Sequence, residues 1–349
     1  MTLALRGRWG LIAVGLIGIA FMIVLPLTLD LFELLQITLY AIFGILALSL
    51  AFIWGYGGIL CFGHSAFFGL GAYAYAVAVI NIGESTAPFV IAMLLPAALA
   101  GALGYFMFYA RISEIYVGVI TLTLTLIFYN VINSTAGPAY HIGDALLGGF
   151  NGMPNVPALN IPFLPDDTLD PLGMFLLCGA LLIIVYFALH GVLATRFGRV
   201  LVAIRENEQR VEFLGYDARL HKLVAFAIGG ALAGLAGCLY VAWGNYVSPP
   251  VFSVVESAQI IIWLMVGGTG TLLGPVLGAM AISWLTLKIG TQQTVNANVV
   301  LGAVLLVFVL LVPRGVAPMV SDHLVPSLMR LRRPRVDAVG QNILQKGKA

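Results

Sequence analysis

The segment TRFGRVLVAIRENEQRVEFLGYDARLHK, residues 195–222, carries much of the charge of a chain that is otherwise apolar. The chain is 61% hydrophobic and only 9% charged. An ionised side chain at the centre of a bilayer costs at least about 2.5 to 3.5 kcal/mol, so this segment must lie in water beside a membrane. Its charged residues are Arg196, Arg199, Arg205, Glu206, Glu208, Arg210, Glu212, Asp217, Arg219 and Lys222.

Within this charged segment, residues 203–214 are predicted to form one short amphipathic helix. Helical spacing places Val211 and Leu214 on one face, with Ile204 and Phe213 near its edges. Gly215 follows and would end the helix. A helix of this kind offers an apolar ridge that another protein can grip. The alternative is an ordinary solvated loop, and the residues alone leave both interpretations open.

The apolar runs outside this segment predict an all-α, polytopic membrane protein. The chain has 349 residues and a mean hydropathy of +1.03, and several runs reach the roughly 20 residues that cross a bilayer. We predict about ten transmembrane helices in one domain, residues 1–315, followed by a basic tail, residues 316–349. The predicted spans are 9–29, 34–54, 55–80, 89–109, 112–133, 172–193, 220–243, 253–266, 276–288 and 299–312.

The distribution of charge predicts the orientation of these spans. With the N terminus in the cytoplasm, ten crossings place Arg111, the charged segment and the basic tail on the same side. Every basic residue except Lys288 then lies inside, as the positive-inside rule expects. The loop of residues 134–171 has aspartates but no lysine or arginine, and it lies outside. Both termini are therefore predicted to be cytoplasmic.

Two glycine-rich stretches interrupt the apolar runs. Residues 55–71 hold six glycines, and residues 267–275 read GGTGTLLGP. Glycine is about 1 kcal/mol worse than alanine in a helix, yet both stretches are too apolar for a water-facing loop. They therefore predict broken or re-entrant segments near a transport path. Close helix packing through small residues is a compatible alternative.

Other small and polar residues within the spans favour structural roles. The pair Gly230 and Gly234 has the spacing that lets two helices approach closely. Thr121, Thr123 and Thr125 alternate along one helix and cannot all share a face, so hydroxyl bonds to their own backbone carbonyls are expected. His64 is expected to donate a hydrogen bond to a freed backbone carbonyl and so support the first break, and contact with substrate is the alternative.

The sequence lacks the motifs of several enzyme classes. It has no GxxxxGK[ST], HExxH or GxSxG, and its three cysteines lie in apolar runs without CxxC spacing. We therefore predict no catalytic residue, no cofactor, no metal and no nucleic-acid partner. Glu114 and Glu256 lie near the ends of predicted spans, and the span interiors carry no acid. Since ion-coupled carriers usually show such acids, the energy for transport is expected to arrive through the cytoplasmic segment.

Five sequence blocks resemble the branched-chain amino-acid ABC permease family of the LivM type. They occur in the order and spacing of that family and cover most of residues 40–285. The blocks are GYGGILCFGHSAFFGLGAYAYAV, IYVGVITLTL, GGFNGM, AIRENEQRVEFLGYDARLHKLVAFAIGGALAGLAGCLYV and VGGTGTLLGPVLGA.

This resemblance implies a non-enzymatic inner-membrane subunit of an ATP-driven importer of branched-chain or other small amino acids. The subunit would pair with a second, homologous permease within the lipid bilayer. Two cytoplasmic ATP-binding subunits would dock on it, and a soluble periplasmic or extracellular binding protein would deliver the substrate.

The matching blocks also supply candidate site residues. The residues expected to couple the chain to the ATPases are Arg205, Glu206, Asn207, Glu208, Glu212, Leu214 and Gly215. Those expected along the substrate pathway are Gly57, Gly58, Gly63, His64, Gly69, Tyr73, Thr121, Gly267, Gly268, Thr269 and Gly270.

Two departures from the family pattern bear on the substrate. Cys61 stands where the family commonly has serine, and Leu126 stands where many members have Glu or Gln. A urea or short-amide importer of the same family therefore stays an alternative. From other classes, a passive channel for a neutral solute, an ion-coupled carrier and a structural scaffold also stay open.

Overall fold

The computed structural model describes residues 8–161, 164–292 and 302–303. Within these residues the chain forms eleven helices. They are α1 (Arg8–Thr28), α2 (Leu31–Leu50), α3 (His64–Ile82), α4 (Thr86–Tyr109), α5 (Glu114–Asn133), α6 (Pro171–Ala194), α7 (Arg196–Glu206), α8 (Glu208–Phe213), α9 (Ala218–Gly244), α10 (Val254–Gly267) and α11 (Leu273–Gln292).

The helices confirm an all-α, polytopic membrane protein. Eight helices in the described ranges are long and apolar enough to cross a bilayer. The predicted span 253–266 is instead the 14-residue helix α10. At 1.5 Å per residue α10 is about 21 Å long, which is shorter than the roughly 30 Å hydrocarbon layer. The predicted span 299–312 and the tail 316–349 fall almost wholly outside the described residues.

Helices α2, α3 and α9 form the centre of the bundle, and α4 packs against α3 and α9. Small residues let their backbones approach closely. A methyl group built on Gly71 of α3 would lie 2.3 Å from the Cα of Gly234 in α9, and one built on Gly234 would lie 2.2 Å from the carbonyl oxygen of Ala92 in α4. The predicted close approach at Gly230 and Gly234 is therefore confirmed.

The loop of residues 134–171 contains short antiparallel strand pairs. Strands β1 (His141–Ile142) and β2 (Ala145–Leu146) pair, as do β4 (Asn160–Ile161) and β5 (Leu164–Thr168). Strand β3 (Met153–Pro154) pairs with β6 (Tyr246–Val247), which follows α9.

Side chains of the bundle fix this loop in place. The Asn81 amide donates to the carbonyl oxygen of Ile142 at 2.9 Å, and the Ser85 backbone N–H donates to the Asn160 side-chain oxygen at 2.8 Å. The loop is therefore attached to the ends of α3, α4 and α9.

Candidate functional site

The first glycine break separates α2 from α3. Helix α2 continues into a π-helical turn, Ala51–Tyr56, in which hydrogen bonds span one residue more than in an α-helix. Gly58 then adopts a φ of +69°, a left-handed conformation that favours glycine. Helix α3 starts only at His64. The predicted interruption is confirmed, and it lies inside the bundle.

Helix α5 supplies the hydrogen bonds that this break needs. The Gly63 backbone N–H donates to the Thr121 hydroxyl at 3.3 Å, and the Thr125 hydroxyl donates to the Gly63 carbonyl oxygen at 3.1 Å. A methyl group on Gly63 would lie only 1.8 Å from the carbonyl oxygen of Thr121. The break is therefore held against α5 without room for a side chain.

The three threonines of α5 behave as expected. Thr121 and Thr123 each donate to a carbonyl oxygen three or four residues earlier at 2.9 Å. Thr125 shares its one hydroxyl hydrogen between the carbonyl oxygens of Thr121 and Gly63, each at 3.1 Å. Thr121 and Thr125 are fully buried, whereas Thr123 lies on the opposite, exposed face.

His64 is fully buried in a chain of hydrogen-bonding groups. The Ser49 hydroxyl donates to the carbonyl oxygen of Leu46 at 2.7 Å, so it accepts from His64 Nε2, which lies 2.6 Å away. This order assigns the proton to Nε2 and leaves Nδ1 to accept from the Cys61 thiol at 3.9 Å. The partner of His64 is thus a hydroxyl of α2 rather than a freed backbone carbonyl.

The second glycine break joins α10 to α11. Gly268 has a φ of +98°, and the Thr271 hydroxyl accepts from the Gly274 N–H at 3.1 Å. A methyl group on Gly267 would lie 2.1 Å from the carbonyl oxygen of Gly274. The two helix ends are therefore in close contact, and residues 268–272 form a short loop between them, whose tip is Gly270.

The two breaks meet. A methyl group on Gly55 would lie 2.6 Å from the carbonyl oxygen of Thr269. Gly270, at the tip, has no such neighbour within 4 Å and lines a cleft of about 630 Å³. Tyr56, His190 and Arg199 also line this cleft.

The charged segment folds as two helices, so the single helix predicted for residues 203–214 is wrong. Helix α7 ends at Glu206, and Asn207 lies in an extended conformation with φ −163° and ψ 99°. The Asn207 side chain then caps α8 by accepting from the Arg210 N–H at 3.0 Å. The chain turns at this cap, which separates the two halves.

Arg205 connects α7 to the first break. Its Nη1 donates to the carbonyl oxygen of Gly55. The Arg205 side chain also lies against Gly58, where an added methyl group would come within 3.0 Å of its Cγ. Leu201, one helical turn earlier, is fully buried. Helix α7 is thus bound to Gly55, the residue of the first break that lies against Thr269 of the second.

The apolar residues of the charged segment divide between its interior and its surface. Val211 and Ile204 are buried and pack together with Ala218. Phe213 and Leu214 are instead 88% and 76% exposed. These two side chains, which we call the apolar tip, lie at the C-terminal end of α8, where Phe213 is the last helical residue and Leu214 follows it.

The candidate coupling residues have two kinds of environment. Asn207 caps α8, Gly215 turns the chain with a φ of +86°, and Glu208 accepts from the Lys222 ammonium at 2.5 Å. Glu206 and Leu214 are exposed. Glu212 and Lys222 line a cleft together with Glu114, the first residue of α5.

The remaining candidate pathway residues lie in the interior. A methyl group on Gly69 would lie 2.5 Å from the ring of Phe252, and one on Gly57 would lie 2.6 Å from the carbonyl oxygen of Ile53. Tyr73 is 5% exposed and stacks on Phe252 with ring centroids 5.5 Å apart. Contact of these residues with substrate stays a prediction.

Comparison with known proteins identifies the family. The family described as "Branched-chain amino acid transport system / permease component" matches residues 34–310. The chain belongs to this family. As a family member it is a transport permease, and the resemblance based on the five sequence blocks is confirmed.

The relatives of this permease are named for different transported substrates. The branched-chain amino acid permease LivM of Escherichia coli is 28% identical over 308 residues, which cover 82% of this chain and 70% of the relative. A probable LivM of Methanocaldococcus jannaschii is 34% identical over 28% of each chain. The autoinducer 2 import permease LsrC of Photorhabdus laumondii is 32% identical over 30% of this chain and 33% of the relative. No solved structure matches significantly.

Several features of this permease have no signal in its sequence. The bond from Arg205 to Gly55 joins residues 150 positions apart, and no local pattern predicts it. The two-helix fold does have a signal, because Asn207 is a strong N-cap residue at the middle of the charged segment.

In the described residues no group of three His, Cys, Asp or Glu side chains could hold a metal ion.

Proposed function

We propose that this chain is the permease subunit of an ATP-driven importer in a bacterial inner membrane, and that it translocates branched-chain or other small amino acids. It would pair with a second homologous permease and dock two cytoplasmic ATP-binding subunits. A soluble binding protein would deliver the substrate. Residues 1–315 would form the permease domain, with both termini and the tail 316–349 in the cytoplasm.

The observation that carries this proposal is the contact between the charged segment and the glycine breaks. Arg205 donates to the carbonyl oxygen of Gly55, and Gly55 packs against the carbonyl group of Thr269 in the second break. A force applied to α7 therefore reaches both breaks through a path of directly contacting groups. Each of α2, α3, α10 and α11 has one end at these breaks. Displacement of α7 would therefore tilt these helices and open the transport path to one side of the membrane at a time.

The apolar tip provides the surface on which an ATPase would act. Phe213 and Leu214 are large apolar side chains exposed to water. Large apolar groups exposed on a protein surface often mark a site that binds another protein. Exposed Glu206, at the end of α7 in the same segment, would add charge to the docking surface. Asn207, Glu208 and Gly215 would act indirectly by keeping α7 and α8 in position.

A urea or short-amide importer is the second candidate. Leu126, which departs from the polar residue of many family members, lies 41% exposed on the outward face of α5. Cys61 is fully buried beside His64, so that departure concerns packing. An apolar outward residue fits a neutral solute better than a zwitterion, and this favours the amide.

Cross-linking and transport together test the proposal. Leu214→Cys in membranes that also hold the two ATP-binding subunits is expected to cross-link to an ATPase. Leu172→Cys is the matched control and is not expected to cross-link. Leu172 is 41% exposed and lies at the start of α6, at the end of that helix far from the charged segment. The native cysteines are all buried and give little background.

Transport by the purified assembly in proteoliposomes decides between the functional classes. We expect leucine accumulation that requires ATP, the binding protein and both permeases. Accumulation of urea but not leucine would favour the second candidate. Flux without ATP would indicate a channel, and accumulation by this chain alone would indicate an ion-coupled carrier.

A further inference from the structure

The cleft beside the tip of the second break is bounded by four parts of the chain. It has a volume of about 630 Å³ and lies between the end of α6, the first turn of α7, the π-helical turn that follows α2 and the loop of residues 268–272. We call it the α6 cleft. A cavity of this size can hold a drug-sized molecule, whereas a bare phosphate ion would leave most of it empty.

The α6 cleft lies at the level where a bilayer changes from hydrocarbon to headgroups. Helix α6 has 24 residues, and its length of about 36 Å exceeds the roughly 30 Å hydrocarbon layer. Its last turn therefore reaches the headgroup layer. Tyr186, the lining residue deepest in α6, lies about 12 Å along the helix from Ala194, the last residue of α6. The cleft thus extends from the headgroup layer into the hydrocarbon.

The inner end of the α6 cleft is closed by three helices. A methyl group built on Gly44 of α2 would lie 3.3 Å from Leu182 of α6 and 3.3 Å from Val276 of α11. Since Leu182 is one helical turn deeper than the deepest lining residue of α6, the cleft narrows where α6 and α11 meet on α2. The apolar residues in its wall are Leu193, Ala194, Leu272 and Leu273. This wall suits a hydrocarbon chain.

The polar side chains of the α6 cleft are hydrogen-bond donors. Arg199 is exposed, and its Nη1 donates to the carbonyl oxygen of Ala194 at 2.8 Å. This is the one bond that the described residues give its guanidinium, so most of its N–H groups stay available. The described residues give no hydrogen-bond partner to the His190 imidazole or to the Tyr186 hydroxyl, although Tyr186 is only 7% exposed. The Thr271 hydroxyl accepts from a backbone N–H of α11 and keeps its own hydrogen to donate.

The α6 cleft holds a positive charge without a carboxylate to balance it. None of the described residues that line it is Asp or Glu, and Arg199 forms no ion pair with a described acid. The cleft at the start of α5 differs, because both signs of charge line it. Its charged residues are Arg111, Arg219, Lys222, Glu114, Glu208 and Glu212. The α6 cleft is therefore complementary to an anion, whereas the ammonium group of an amino acid would find no carboxylate there.

We propose that the α6 cleft binds an anionic phospholipid from the leaflet on the side of the charged segment. Arg199 and His190 donate to the phosphate, and Tyr186 and Thr271 donate to the oxygens of the glycerol and ester groups. The acyl chains leave along the apolar wall between α6 and α11. Basic pockets between membrane helices bind anionic headgroups in this way.

This lipid site goes beyond the proposed function, because the lipid is a bound component and not the transported solute. Gly270 and Thr271 of the second break line the cleft together with Arg199 of α7. One lipid therefore contacts α6, α7 and the tip of the second break at the same time.

Photo-cross-linking of the complete transporter in lipid nanodiscs tests the site. The probe is phosphatidylglycerol with a diazirine at the start of one acyl chain, and the matched probe is phosphatidylcholine with the same chains. We expect phosphatidylglycerol to label residues 182–199 and 268–280 at least about fivefold more than phosphatidylcholine, because only the former has a net charge. Equal labelling by the two probes would overturn the proposal.

Variants of the cleft test the assigned donors. Arg199→Gln should lower labelling by phosphatidylglycerol at least about tenfold, and Arg210→Gln, an exposed arginine outside the cleft, by less than about twofold. Tyr186→Phe removes one hydroxyl and keeps the ring, so it tests the site even if Arg199→Gln does not fold. It should lower labelling about threefold. Undiminished labelling of Tyr186→Phe, or of folded Arg199→Gln, would overturn the assignment.

Competition identifies the source of the phosphate group. Excess unlabelled phosphatidylglycerol should displace the probe, whereas excess inorganic phosphate should not. Displacement by inorganic phosphate would indicate a site for a free anion and overturn the lipid. A cross-link from Leu193→Cys to a second permease chain or to residues 316–349 would show that protein fills the cleft, and it would also overturn the proposal. Binding is measured without transport, so a transporter whose uptake does not require ATP would contradict the proposed function and leave this test intact.

Discussion

The two glycine breaks of this permease differ in how tightly they are enclosed. The first is confined from Gly55 to Gly63 by Thr269, Arg205 and α5. The second is closed where its helices meet, at Gly267 and Gly274, but Gly270 at its tip faces an open cleft. Under the proposed function, the first break would be the fixed element on which α7 acts, and the second would have room to move with α7.

The largest effect should come from filling the enclosed break. Gly63→Ala would place a methyl group 1.8 Å from the Thr121 carbonyl oxygen, a clash with backbone that no side-chain rotation relieves. We expect a loss of more than about 4 kcal/mol in the free energy of unfolding. Little folded protein should then be recovered after solubilisation, as measured by size-exclusion chromatography. Recovery of Gly63→Ala at the level of the unmodified protein would contradict the tight packing.

A smaller and more specific effect is expected at Gly58. Gly58→Ala and Gly215→Ala both place a side chain at a positive φ, +69° and +86°, which costs roughly 1 to 2 kcal/mol in each case. Only Gly58 lies against Arg205, whereas Gly215 has nothing within 4 Å. Both variants should therefore lose thermal stability through the same backbone strain, and Gly58→Ala should lose more because its methyl group also meets Arg205 at 3.0 Å. A thiol-reactive or intrinsic-fluorescence melt measures both losses.

Transport should separate these two variants. Gly58→Ala is expected to lower ATP-driven leucine uptake further than its stability loss explains, because it displaces Arg205. Gly215→Ala should retain the uptake expected from its folded fraction. Equal uptake by the two variants, after correction for folded protein, would argue against a role for the contact at Gly58.

The smallest effect is expected at the open tip. Gly270 is exposed, has no neighbour within 4 Å of an added methyl group and does not have a positive φ. Gly270→Ala should change the free energy of unfolding by less than about 0.5 kcal/mol. A large loss of folded protein would show that the tip is as enclosed as the first break, and the comparison between the breaks would fail.

Much of this architecture could be predicted from the sequence because hydrocarbon imposes a simple rule on composition. Eight long spans follow from apolar length alone, and both breaks follow from glycine in apolar surroundings. The short α10 could not be distinguished from a full span, since its apolar run looks the same whether or not it crosses.

The site was harder to predict than the fold. Helical spacing alone does not reveal the break at Asn207, because the apolar positions on its two sides, Ile204 and Val211, fit one continuous helix as well as two. The contact of Arg205 with Gly55 depends on how distant helices pack. A charged residue in a water-facing loop is ordinarily expected to point into solvent, so its inward direction has no sequence signature.

The most direct test of the account is the ratio of leucine transported to ATP hydrolysed in proteoliposomes that hold the complete transporter. Arg205→Met removes the donor to the Gly55 carbonyl and keeps the length of the side chain, while Arg210→Met removes an exposed arginine of the same segment. We predict that the ratio falls about tenfold for Arg205→Met, because a charged hydrogen bond of about 1.5 kcal/mol or more is lost, and by less than about twofold for Arg210→Met. An unchanged ratio for Arg205→Met would contradict the claim that α7 drives the breaks through this contact.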